Sequence, residues 1–289
     1  DRITVLRDGR YIGTRDISRN SVTIDEVIRM MVGRELTEMF PREDVEIGPV
    51  ILRAENLTKK GQLYDISFEV RKGEILGFSG LVGSGRTELA RLIFGLDKPD
   101  SGQICIDGKE VRINNPWTAL KYGIACVPED RQDQGLVLPM DIIQNIALPV
   151  MDRFSKMGWV NHQKERENAK YYADLLDIKA HGLWEQVMKL SGGNQQKVVL
   201  AKWLATDPKI LILDEPTRGV DVGAKVAVHE FVSELASRGV AIIMISSELP
   251  EILGMSDRVM VMFEGRIVAE FSREDVTQDK VLAAAVGMT

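Results

Sequence analysis

Leu190-Ser191-Gly192-Gly193-Asn194-Gln195-Gln196-Lys197 is the stretch on which the reading of the whole chain turns. Ser191 offers a hydroxyl, and the two glycines after it have no Cβ to hold a ligand away from their backbone amides. Asn194 to Ala205 then reads as a helix, whose positive N-terminal end faces the same place. Such a stretch can hold an anion, although Ser-Gly-Gly also occurs in ordinary loops. Two other stretches decide between these readings. Downstream, Ile210-Leu211-Ile212-Leu213-Asp214-Glu215 is an apolar strand that ends in two acids. Upstream, Gly80-Leu81-Val82-Gly83-Ser84-Gly85-Arg86-Thr87 lies between a strand and a helix.

In the upstream loop, Gly80, Gly83 and Gly85 free the backbone amides to curl around a phosphate, with Ser84 and Glu88 beside them. Thr87 is placed to ligate Mg²⁺. A dinucleotide-binding turn needs Gly-x-Gly-x-x-Gly, but from Gly83 this chain gives Gly-x-Gly-x-x-Glu88, which argues against it. Arg86 stands where a phosphate loop asks for lysine. Its planar guanidinium can bind phosphate, but not with the geometry of a compact ammonium. Asp214 is expected to hold Mg²⁺ through water, and Glu215 to polarise an attacking water. Nucleotide binding is therefore expected, with hydrolysis impaired.

The rest of the composition sets bounds. The chain has 289 residues, 44% apolar and 28% charged, as in soluble globular proteins. Its net charge of −6 offers no basic footprint for nucleic acid. No apolar run approaches the length of a membrane span. Cys105 and Cys126 lack a CxxC spacing and read as small buried hydrophobes in a reducing compartment. His162, His181 and His229 lack metal-like spacing and read as surface residues.

Asp1-Arg-Ile-Thr-Val-Leu-Arg-Asp-Gly-Arg10 matches Asp257-Arg-Val-Met-Val-Met-Phe-Glu-Gly-Arg266 in residue type at all but Thr4 and Arg7, at a displacement of 256 (257 − 1). Both read as a hairpin followed by a threonine-started helix ending in Val-Gly, at Val32-Gly33 and Val286-Gly287. The chain starts at Asp1 rather than Met and is expected to be a fragment; the match makes residues 1–34 the expected tail of an upstream copy. Residues 35–49, rich in proline and acids, would be a linker, and residues 50–289 a second, whole copy. Within it, strands at 50–55, 66–71, 74–79, 124–127, 209–213 and 240–246 alternate with helices. That order predicts an α/β fold with a mainly parallel sheet, an antiparallel β subdomain and a helical insertion over about 137–200. Pro128 to Pro139 reads as a polar loop, and 141–189 as mostly helical. Ala169, Tyr172, Ala173 and Leu176 recur at helical spacing and are assigned to the core.

The phosphate loop, the LSGGNQQK signature and the acid-ended strand, in this order, resemble the ATP-binding cassette family. GLVGSGRTEL, VPEDR, LSGGNQQK, LDEPTRGVDVGAK and ISSELPEILGMSDR narrow the resemblance to the second cassette of tandem ATP-binding subunits of bacterial monosaccharide importers, ribose importers above all. The resemblance implies a P-loop ATPase using ATP and Mg²⁺ on the cytoplasmic face of the inner membrane. Its implied partners are transmembrane permease subunits, the first cassette of the same polypeptide and, indirectly, a sugar-binding protein, with no nucleic acid. It implies that Ser191, Gly192, Gly193 and Gln195 bind nucleotide held by the other cassette, and that Asp221 is the acid of the turn after the Asp214 strand. Glu129 falls where the family has a glutamine near Mg²⁺ and the γ-phosphate, and Ser247 where it has a catalytic histidine. No aromatic occupies the usual adenine place; Tyr64 is the nearest candidate, with a core role as good a reading. The alternative is a soluble tandem cassette acting on ribosomes or nucleic acid, which would call for basic arms and a lysine at Arg86. A DNA-repair cassette would need a long coiled coil or zinc-binding cysteines between 127 and 190, and neither is there.

Overall fold

The structure, a computed structural model, describes residues 2–7, 10–16, 26, 27, 30, 40–43 and 45–288. Two strands open the chain, β1 (Arg2–Arg7) and β2 (Arg10–Asp16). There follow β3 (Val50–Lys59), β4 (Leu63–Arg71), β5 (Ile75–Gly80), α1 (Arg86–Ile93), β6 (Ser101–Ile106) and β7 (Lys109–Val111). Next come α2 (Pro116–Lys121), β8 (Ile124–Val127), α3 (Ile142–Ala147), β9 (Ser155–Lys156), β10 (Trp159–Val160) and α4 (His162–Leu175). The chain closes with α5 (Gly192–Leu204), β11 (Ile210–Asp214), α6 (Val222–Ser237), β12 (Ala241–Ile245), α7 (Leu249–Met255), β13 (Arg258–Phe263), β14 (Arg266–Ser272) and α8 (Gln278–Ala285).

One six-stranded sheet runs β14-β13-β5-β12-β11-β8, parallel throughout except for β14. Its central strands are continuous apolar runs, as a sheet covered on both faces requires. Side chains alternate between two cores. Ile75, Leu211, Leu213, Ile242 and Met244 face α5 and α6, while Leu76, Phe78, Ile212, Ile243 and Ile245 face α1 and the antiparallel sheet β4-β3-β6-β7. The expected fold class therefore holds. Two details differ from the sequence reading. Residues 141–189 are less helical than expected: a 3₁₀ turn at Leu148–Arg153 and the small β9–β10 hairpin separate α3 from α4. The polar loop after β8 holds a π-helical turn, Arg131–Gly135, capped by Asp130.

The β1–β2 hairpin pairs Arg2 with Asp16 and shifts register between Val5 and Leu6. The β13–β14 hairpin pairs Arg258 with Ser272 and shifts between Val261 and Met262, the matching place in the repeat. The turn at Asp8-Gly9 and residues 31–39, with the expected helix end at Val32-Gly33, lie outside the described residues. Residues 40–43, in the stretch expected to be a linker, pack against the body of the chain. Arg42 donates from Nε and Nη2 to the two carboxylate oxygens of Asp257, at 3.1 and 2.7 Å. Phe40 packs on His229, with ring centroids 5.2 Å apart. His229 itself corrects the sequence reading: it is 1% exposed, and its Nε2 lies 2.5 Å from Oε1 of the equally buried Glu251. An apolar helix face places it inward, and a carboxylate partner makes that burial tolerable.

Glu74, fully buried just before β5, is held from two sides. Arg258 Nε donates to one oxygen at 2.6 Å and the Arg71 amide to the other at 2.7 Å. Glu74→Ala leaves the guanidinium without its buried partner and is expected to cost about 3 kcal/mol of unfolding free energy, read by urea titration.

Candidate functional site

Parallel strands end on the same edge of a sheet, and here β5, β8, β11 and β12 deliver every expected catalytic stretch to that edge. Gly80 closes β5, and the loop to Arg86 turns around it. Gly80 has φ +152°, and a Cβ there would meet the Met262 carbonyl at 2.4 Å. A Cβ at Gly83, by contrast, would meet nothing within 4 Å, so its surface is free for a ligand. The loop from Val82 to Glu88, with Glu129, Glu215, Arg218, Ile245 and Ser247, lines a cavity of about 400 Å³. Gly80, Gly83, Ser84, Gly85, Arg86, Thr87, Glu88, Asp214, Glu215, Glu129 and Ser247 are thus gathered in or against one site. Ser191, Gly192, Gly193, Gln195 and Asp221 are not among its lining residues.

Asp214 ends β11 almost fully buried, with Oδ1 making no hydrogen bond among the described residues. Burial pushes its carboxyl up to about 6, against a hydrogen bond from Thr87; the neighbouring Glu215 pushes the same way as burial. Ser84 Oγ is also buried and unpaired. A divalent cation ligated by Thr87 and Asp214, with phosphate over Gly83 and Ser84, fits these donors. Arg86 is 7% exposed, and its Nη1 donates to the Ser246 carbonyl at 2.8 Å. Burial lowers its pKa, countered by Glu215, Asp214 and Glu88. Its guanidinium is thus tied to the end of β12.

Glu215 sits at φ +50°, a strained conformation for a non-glycine residue, and accepts a hydrogen bond from Ser247 Oγ at 3.0 Å. Ser247 therefore orients the carboxylate. Glu129 lines the cavity as expected, but as half of an ion pair with Arg218 Nη1 rather than as a bare metal ligand. The sequence reading missed Arg218; its place directly after Glu215-Pro216-Thr217 was the available signal. Tyr64 is on the rim rather than in the core: 37% exposed, under the Arg266 guanidinium 5.1 Å from its ring centroid, in a second cavity shared with Gly83 and Gly85.

The signature forms a separate surface. Ser191 N-caps α5, accepting from the Asn194 amide at 3.4 Å and its side chain at 3.0 Å. Gly193 packs on α6, where a Cβ would fall 3.0 Å from Ala224 Cβ, and Asp221 N-caps that helix by accepting from the Ala224 amide at 2.9 Å. Gln195 differs from its expected role: it is 3% exposed, donating to the Val187 carbonyl at 3.1 Å and accepting from Gln132 at 3.0 Å. Its amide is consumed in holding the helical subdomain together.

Residues 63–218, more than half of the chain, match the family described as ABC transporter. The chain belongs to this family. The cassette is 52% identical over 287 residues to the ribose import ATP-binding protein RbsA of Geobacillus kaustophilus, covering 99% of this chain and 58% of that protein. It is 51% identical over 286 residues to the protein of the same name from Rhodococcus jostii, with 99% and 56% covered. The cassette thus spans little more than half the length of these relatives. Among solved structures it resembles an ATP-binding cassette of an ABC transporter in its ADP conformation, at TM-score 0.70 and 27% identity over 83% of this chain and 99% of that one. Among the described residues, no helix is long and apolar enough to cross a membrane.

A raised carboxyl pKa means that the ionised form is disfavoured in the folded state, so Asp214 opposes folding increasingly as pH rises from about 4 to about 6 and fully above it. In the metal-free cassette, Asp214→Asn is expected to raise unfolding free energy by about 2 kcal/mol at pH 7.5 and by nearly nothing at pH 4. Urea melts at the two pH values check this.

Proposed function

We propose that this cassette is the second of a tandem ATP-binding subunit in a monosaccharide importer, and that it works mainly by completing the site of the first. The observation that carries the reading is the separation of two anion-binding surfaces in one chain. The phosphate cavity takes no lining residue from 191–193, while Ser191 and Asn194 face a different cavity with Lys179 and Lys189. A signature that cannot reach the phosphate of its own chain needs a phosphate on another. The repeated hairpin, with its register shift at the matching place, supports a first copy. The names of the relatives support sugar import; one is named for ribose and another, from Rhizobium meliloti, for ribose/galactose/methyl galactoside. The motifs of an ATP-binding subunit do not themselves select the sugar.

In this reading the subunit sits on the cytoplasmic face of the inner membrane against permease subunits, fed by a sugar-binding protein. The segment 128–139 and the helical subdomain would receive the permease. Thr87 and Asp214 would hold Mg²⁺, which neutralises phosphate charge when bound. The loop amides of Gly83 and Gly85 bind and orient phosphate, and Glu215, held by Ser247, orients water. The chain's own engine is weak for three reasons. Arg86 is anchored to a carbonyl, Glu129 is committed to Arg218, and Ser247 replaces a long-reach donor.

The cassette alone is expected to bind nucleotide yet turn it over barely above background, since each lost phosphate donor costs about 10²–10³ in rate. Several turnovers per second, abolished by Glu215→Gln, would overturn this.

In the full-length subunit, Gly193→Asp adds a carboxylate beside Asp221 on the signature surface and is expected to lower the ATPase rate by on the order of 10². Arg86→Ala should cost only a few-fold, roughly, because its site is not the main engine. Equal silencing by the two substitutions in a steady-state ATPase assay would mean that the sites are equivalent and the asymmetry is wrong.

A further inference from the structure

We propose that Arg131 is a positioning residue for the signature: it ties the rim of the phosphate cavity to Gly192 and fixes the signature against the 217–221 turn. The inference rests on the reading that the signature acts on phosphate held by another cassette. Arg131 begins the π-helical turn Arg131–Gly135, whose cap, Asp130 Oδ1, accepts from the amides of Gln132 and Asp133 at 2.8 and 3.0 Å. That cap sets the direction in which Arg131 leaves the backbone. Its guanidinium then forks across two successive carbonyls, Nη1 donating to Arg218 at 2.7 Å and Nη2 to Gly219 at 3.2 Å.

The signature lies against the other side of the fork. A Cβ on Gly192 would fall 2.8 Å from Nη2, so the absence of a side chain at 192 is what admits the guanidinium. The same turn is joined to the signature helix twice more. Gln132 donates to Gln195 at 3.0 Å, and the buried Lys202 donates from Nζ to the Gly135 carbonyl at 2.9 Å. Residues 131–135 and α5 are therefore cross-linked along their contact, and Arg131 hydrogen-bonds that unit to the turn carrying Asp221, beside the packing of Gly193 on Ala224.

Arg218 closes the circuit. Its carbonyl accepts from Arg131, while its guanidinium pairs with Glu129, two residues before Arg131 in the chain. Segments 129–131, 192 and 218–219 thus meet at one arginine, and a shift of the helical subdomain has to break the fork. Lysine cannot replace it, because an ammonium has no planar fork to span both carbonyls at once. Chemistry across a composite site is sensitive to placement, and about 1 Å of misplacement costs on the order of 10² in rate.

The test uses the full-length subunit in steady-state ATPase assays, with nucleotide affinity and melting measured on the same proteins. Arg131→Ala is expected to lower kcat by about tenfold or more with KM within about two-fold, as for a group that places another without binding the nucleotide. Arg131→Lys should restore the melting temperature but less than about a third of kcat. Unchanged kcat in Arg131→Ala overturns the inference. So does a joint fall of kcat, affinity and melting temperature that Arg131→Lys repairs in full, since that is general stabilisation by a cation. Gly193→Asp, run alongside, separates the two levels. If it silences turnover while Arg131→Ala does not, only the role of Arg131 falls; if it too is harmless, the trans reading of the signature falls first.

Discussion

The constraint on which this site depends is the parallel alignment of β5, β12, β11 and β8. Strands in a parallel sheet end together, so four stretches far apart in the chain are forced onto one edge: 80–87, 128–129, 214–215 and 246–247. That alignment is held by apolar runs such as Ile210–Leu213 and Ala241–Ile245, buried on both faces. Their cost is borne at the edge. Asp214 is carried into the apolar interior far enough to raise its pKa to about 6, and Glu215 is bent to a positive φ. The first of these lies where a divalent cation would favour the ionised carboxylate.

Substitutions that look damaging one at a time are organised as pairs in the folded chain. A carboxylate at 129 would repel phosphate if it stood alone, but Arg218 neutralises it. A serine at 247 cannot reach as far as histidine, yet it holds Glu215 at hydrogen-bond distance. Arg86, too long for the place of a lysine, finds the Ser246 carbonyl. Each partner lies near the same edge of the sheet, so these side chains are engaged with one another rather than left open. A site tied up in this way can hold a ligand, but it presents fewer free donors to one.

The fold and the gathering of the site were legible in the sequence because they follow from local rules. Glycine spacing at 80–85, apolar runs ended by acids, and alternation of strand and helix each leave a mark over a few residues. What was not legible depends on contacts between distant segments. His229 looked like a surface residue because its partner, Glu251, lies on another helix. Gln195 sits inside the signature and reads as a ligand, until Val187 and Gln132 are seen to take its amide. The β9–β10 hairpin was lost among helical signals because two-residue strands leave no period to detect.

The glycines of the two motifs stand in different surroundings. A Cβ at Gly83 meets no atom, so steric space there is reserved for a ligand, whereas Gly192 and Gly193 are hemmed in by Arg131, Ala224 and Asp221. The first kind of glycine leaves open space beside the loop, and the second admits a close neighbour. Neighbours that leave no room for a side chain at Gly192 and Gly193 hold the backbone of the signature close against Arg131 and Ala224. Preorganisation of this sort contributes to rate only if the approaching phosphate is equally well placed. In this chain Arg86 is already engaged by the Ser246 carbonyl and Glu129 by Arg218, which is why we propose that the signature face acts on a phosphate held elsewhere.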